Sequence, residues 1–156
     1  MSAKTLYYLE DFVPGQRFAG TTRFRFDRAR AIAFASEFDP QAFHLDEHAA
    51  ERSVFGALAV SGWHTAAAAM RLLVDSDFRP AGGIVGAGID ELRWLRPVHP
   101  GDEIRVESEV LESLAPQPNR PYGTLRVRTI AFNQRNEPVL SYVASLRVPP
   151  RPTDIR

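Results

Sequence analysis

The chain has no cysteine, which excludes disulfide frameworks, thiol nucleophiles and thiolate metal sites together. It carries no net charge, with 19 basic against 19 acidic side chains, and so has no general attraction to nucleic acid or to an anionic membrane. Its longest apolar stretch, Phe55 to Val74, is interrupted by His64 and Arg71, and reads as a buried helix instead of a membrane span. The opening residues Met1 to Tyr8 lack the apolar centre of a secretory signal, so a cytoplasmic protein with neither a membrane nor a nucleic-acid partner is expected. There is no internal repeat, low-complexity tract or linker.

What remains is 156 residues with 44% hydrophobic content, enough for one buried core and short for two. Residues 1–156 are therefore read as a single domain. Charge is unevenly spread within it: from Ala115 onward there are seven arginines (120, 126, 128, 135, 147, 151 and 156) against two acids, Glu137 and Asp154.

Pro14-Gly15 marks a turn, and Arg17 to Phe26 places Phe18, Phe24 and Phe26 on one alternating face, a strand pattern. Asp27 is a cap for a helix over 28–38, which ends near Asp39 because Pro40 disfavours helical geometry in the residue before it. A short helix over 47–52 follows Asp46 as its cap, and Ser61 caps a longer helix through Val74. Ala66 to Ala69 gives that helix a small-residue surface that a sheet can approach. After Gly82-Gly83 the period becomes two, through Leu92 and Trp94, Ile104 and Val106, Leu125 to Ile130, and Val139 to Val148. The last two runs form a hairpin about Asn133 to Asn136, and Pro116 to Pro121 is a loop. Helices early and strands late define an α+β domain, with helices on one side of an antiparallel sheet.

The chemistry concentrates in Asp39-Pro-Gln-Ala-Phe-His44, flanked by apolar segments and followed by Phe55-Gly56 and Ser61-Gly62-Trp63. A carboxylate and an imidazole five residues apart can share one water, one accepting its proton and the other supplying one, which suits adding or removing water. Gly62 begins the long helix, where the first amides lack internal partners and carry partial positive charge. An oxygen gaining negative charge is stabilised there.

These residues resemble the MaoC-like dehydratases, which include the (R)-specific enoyl-CoA hydratases. The resemblance rests on Asp39, His44, Asp46, Ala49-Ala50, Ser53-Val-Phe55-Gly56, Leu58, Val60 and Ser61-Gly62-Trp63. Flanking it are Phe12-Val-Pro-Gly15, Leu92-Arg-Trp-Leu-Arg-Pro97 and Pro100-Gly-Asp102. Gln41 and Ala42 depart from the Asn and Pro usual in the hydratases. The resemblance implies a hotdog fold, in which a long central helix is wrapped by a curved antiparallel sheet, commonly as a homodimer or larger homo-oligomer. It implies reversible hydration of a trans-2-enoyl-CoA to the (R)-3-hydroxyacyl-CoA, with Asp39 and His44 catalytic, their individual proton roles left open. Ser61 and Gly62 then bind substrate, and Phe43, Phe55 and Trp63 line the acyl pocket. Neither a metal nor a bound cofactor is needed, coenzyme A being part of the substrate. Arg126 and Arg128, on one side of a strand in the arginine-rich C-terminal region, are candidate partners for its phosphates, within one chain or across a dimer interface.

Other readings share these letters. A silent hotdog domain would bind an acyl thioester or a protein without turnover, and a thioesterase would release free thiol. His44-Leu-Asp-Glu47-His48 also fits a zinc pattern, provided that the segment is one helix from His44 and a third ligand comes from downstream. His64 reads as a core histidine and His99 as a solvent-facing turn residue, while Trp63 and Trp94 read as core or pocket wall.

Overall fold

The computed structural model describes residues 5–153. Arg156 and Asp154 of the basic C-terminal stretch and Met1 to Lys4 fall outside this range. A single turn of 3-10 helix, Leu9–Asp11, precedes two short strands, β1 (Arg17–Ala19) and β2 (Phe24–Arg25). The single strand expected over this stretch is thus interrupted. At Gly20 an added Cβ would lie 3.3 Å from Ser76, so the chain leaves the ladder where it packs closely on the end of the long helix.

Helix α1 (Arg28–Phe38) starts where the Asp27 carboxylate accepts the Arg30 amide at 3.0 Å, and Asp39 closes it. Pro40 stops it there. A short helix that the sequence pattern did not reveal, α2 (Ala42–Leu45), follows, and Asp46 then caps α3 (Glu47–Glu51) by accepting the Ala49 amide at 2.8 Å. Helix α4 (Gly62–Asp75) begins at Ser61, whose hydroxyl accepts the Trp63 amide at 3.3 Å.

Beyond α4 lie β3 (Val85–Trp94), β4 (Glu103–Leu114), β5 (Gly123–Asn133) and β6 (Pro138–Val148). The antiparallel sheet runs β1-β4-β5-β6-β3, and β2 also pairs with β4. Register shifts in β3, between β4 and β5, and between β5 and β6 curve it, since an extra residue on one strand bends the ladder. The β5–β6 hairpin turns at Asn136, which has φ 59, and residues 116–121 form the expected loop.

β6 is buried in consecutive pairs and triples such as Val139-Leu140 and Tyr142-Val143-Ala144, and alternate residues of β4 and β5 are buried, among them Ile104, Val106, Val110, Leu125 and Val127. They close one core with Ala68, Ala69, Leu72 and Leu73 of α4. The alanines remove bulk where helix meets sheet, so the curved sheet wraps the long helix. Among the described residues no helix is long and apolar enough to cross a membrane.

Candidate active site

Asp39 closes α1, His44 rides on α2 and Ser61 caps α4, so three helix ends converge. His44 Nε2 lies 3.2 Å from Asp39 Oδ2, and Ser61 Oγ donates to the same oxygen at 2.7 Å. Gln41 Nε2 donates to Oδ1 at 2.6 Å. The chain makes this possible at Pro40, where the Gln41 amide bonds back to the Asp39 carbonyl at 2.7 Å and folds residue 41 over residue 39. His44 is buried, and its Nδ1 faces the Ala59 carbonyl at 2.7 Å. A carbonyl only accepts, so Nδ1 carries a hydrogen and Nε2 is left to exchange protons with Asp39.

Partial burial pushes the Asp39 carboxyl up. Hydrogen bonds from Gln41 and Ser61, with the charge of His44, outweigh it and hold the carboxyl below its ordinary value. Gln41→Ala removes one of these bonds, so an NMR titration of the Asp39 carboxyl is expected to move upward. An unmoved titration would show that Gln41 does not act on the carboxylate.

The pair opens into a cavity of about 400 Å³ lined by Phe43, Phe55, Gly62, Trp63, Trp94 and Arg96, among others. The expected catalytic and acyl-pocket residues, Asp39, His44, Phe43, Phe55, Ser61, Gly62 and Trp63, lie in or beside it. Ser61 touches Asp39 from behind, while Phe43 and Phe55 pack together 5.1 Å apart. Among the described residues the Gly62 N–H has no protein acceptor, which leaves it to a ligand. Trp94, read from the sequence as core or pocket wall, is a wall residue, and its contact with Gly62 is what the sequence did not reveal: it stands edge-on to Trp63 at 4.9 Å, and its Nε1 donates to the Gly62 carbonyl at 2.8 Å. Thirty-two residues separate these partners, and no local pattern joins them.

The structure bears on three further readings. The zinc reading fails because Asp46 breaks the segment into two helices, Glu47 is paired with Arg28 at 2.6 Å, and His48 is 84% exposed beside Glu51. Arg126 stands 3.7 Å from both Asp90 and Glu112, and neither it nor Arg128 lines the cavity. His99 does more than meet solvent, since its Nδ1 contacts the Leu58 carbonyl at 2.8 Å and joins the turn after β3 to the segment before α4.

His64 is a core histidine, as expected. It stacks on Phe34 at 4.6 Å, its Nδ1 has no partner among the described residues, and burial, then the charge of Arg30, lowers its pKa. The unfolded chain therefore binds this proton more readily, and the resulting loss of stability grows as pH falls below the ordinary value of 6.5. His64→Phe is expected to melt no lower at pH 8 and to lose less stability on acidification. Parallel melting curves for the two proteins at every pH would contradict this.

A long helix wrapped by a curved antiparallel sheet, with a carboxylate and an imidazole facing the start of that helix, is a hotdog-fold domain. The chain belongs to the MaoC-like family: the MaoC like domain model matches residues 11–131. It is similar to a MaoC-like dehydratase from Rhodospirillum rubrum, at 46% identity and TM-score 0.88, over 94% of this chain and 99% of that one. The protein YdeM of Bacillus subtilis is 33% identical over 81% of this chain and 88% of its own length. An (R)-hydratase from A. caviae shares 27% identity at TM-score 0.65, over 90% of this chain and 99% of that one. The family and its structural neighbours thus include hydratases.

Proposed function

We propose that this protein reversibly adds water to a trans-2-enoyl thioester, a coenzyme A ester, giving the (R)-3-hydroxyacyl product. The observation that carries this reading is the buried Asp39–His44 contact in a mainly apolar cavity, beside the unpartnered Gly62 amide. Asp39 accepts a proton from water as the water oxygen bonds to the β-carbon. His44 Nε2 delivers a proton to the α-carbon, and the Gly62 N–H stabilises the enolate-like oxygen that forms between these events. The proton on Asp39 then passes to Nε2 across the 3.2 Å contact, so one turnover restores both groups. Ser61 and Gln41 keep the carboxylate aimed, and Phe43, Phe55 and Trp63 hold the acyl chain.

The working form in this proposal is a homodimer. β3 is an edge strand exposed along nearly its whole length, and Ile89, 61% exposed, lies with Ile84 and Leu92 opposite Met70 of α4 around an apolar groove. Long apolar edges of this kind require cover, and a solution mass of one chain would remove this part of the reading.

The direct test is absorbance at the enoyl-thioester band with crotonyl-CoA, run beside a thiol-release assay. Loss of the band without thiol release supports hydration, and thiol release indicates a thioesterase. No change with crotonyl-CoA or with longer and branched enoyl-CoAs favours a silent binding domain.

A further inference from the structure

The cavity beside Asp39 and His44 has one arginine among its described lining residues, Arg96, in the segment that follows β3. The side chain is anchored. Its Nε lies 3.2 Å from Glu137 Oε2, and its Nη1 donates to the Pro138 carbonyl at 3.0 Å. Glu137 does not cancel its charge, because Arg135 Nε approaches the other oxygen of the same carboxylate at 2.6 Å. Two guanidinium groups share one carboxylate, and a positive charge remains at the rim.

A guanidinium carries five N–H donors in a rigid fork, so these two contacts leave donors free. With 45% of the side chain exposed, the free donors are not buried in the core. An anchored fork of this kind loses little freedom when it meets a carboxylate or phosphate, and holds either through paired charge-assisted bonds. Arg126 and Arg128, the arginines that the sequence singled out for this task, lie off the cavity, with Arg126 between two carboxylates.

We propose that Arg96 is the anion-binding residue of this cavity and that its ligand is an oxyanion carried by the thioester substrate itself. This rests on the thioester reading above. The oxyanion is either a carboxylate at the far end of the acyl group or a phosphate beyond the pantetheine arm, and the two are separable by choice of ligand.

The test is calorimetric titration with saturated thioesters, which bind but have no double bond to hydrate. Butyryl-CoA carries phosphates alone, succinyl-CoA carries phosphates and a carboxylate, and butyryl-pantetheine carries neither. Arg96→Ala is expected to weaken at least one of the two anionic ligands by tenfold or more and to leave butyryl-pantetheine within twofold. Equal losses for both coenzyme A esters identify the phosphate; a loss confined to succinyl-CoA identifies the carboxylate. Arg96→Gln, which retains a donor for the Pro138 carbonyl, is expected to show the same selectivity and serves if the alanine variant does not fold. Losses below tenfold for both anionic ligands, or equal losses for all three, overturn the proposal. Should the native protein bind none of the three, the thioester reading falls and the Arg96 proposal with it.

Discussion

With Asp39→Ala, hydration of crotonyl-CoA is expected to fall by about 10³-fold, within the range that a positioned acid or base contributes, while butyryl-CoA binds nearly as before. The carboxylate has three neighbours, Gln41 on one oxygen and Ser61 and His44 on the other, and it is the group that takes the proton from water. Its removal deletes the acceptor and leaves His44 Nε2 without the partner that returns its proton. Asp39 also closes α1 through backbone geometry, which alanine retains, so the fold survives. Asp39→Asn separates charge from shape, since the amide preserves the outline and abolishes proton acceptance. A comparable loss in both variants assigns the effect to proton transfer. Near-native turnover in Asp39→Asn would show that Asp39 only positions other groups, and the mechanism would need another base.

Much of this arrangement is legible in the sequence because it is built from local signals. Asp27, Asp46 and Ser61 are helix caps recognisable by type and position, and each is found accepting the amide expected of it. Pro40 fixes the end of α1 and therefore the place of Asp39. The alternating runs of β4 and β5 announce strands buried on one face, as the structure has them, while β6 is buried on both faces over residues 139–144. The long helix is legible as well, since an alanine-rich apolar run with one cap has few other solutions.

What the sequence concealed depends on contacts between distant residues or on elements too short for periodicity. Helix α2 spans four residues, about one turn, yet it turns His44 toward Asp39. Trp94 reads as a strand residue, and its place against Gly62 arises only when β3 folds beside α4. Arg126 and Arg128 form a stripe in the sequence, but strand pairing sets Arg126 opposite Glu112 and close to Asp90. A charge pattern along one strand cannot reveal the charges of its neighbours. Arg96 escaped for the same reason, because its anchor, Glu137, comes from the far side of the sheet sequence.

The contact between Gly62 and Trp94 leads to the second large effect. A Cβ on residue 62 would stand 2.6 Å from Trp94 Nε1 and 2.8 Å from its Cε2, closer than any tolerable contact. The obstacle is a side chain and not backbone, so Gly62→Ala is expected to fold, with the indole displaced from its hydrogen bond to the Gly62 carbonyl. That displacement disturbs the wall of the cavity and the start of α4, where the enolate-like oxygen meets the amide. A misplacement of about 1 Å at a reacting centre costs on the order of 10²-fold in rate, and kcat/KM for crotonyl-CoA is expected to fall by that amount. If steric conflict is the cause, the two residues are coupled: Trp94→Ala makes room for the methyl group, and the double variant is expected to be no worse than Trp94→Ala alone. Additive losses in the double variant would instead mean that the glycine is required for the approach of the thioester itself, independent of the indole. Either outcome of the cycle separates what the glycine does for the wall from what it does for the substrate.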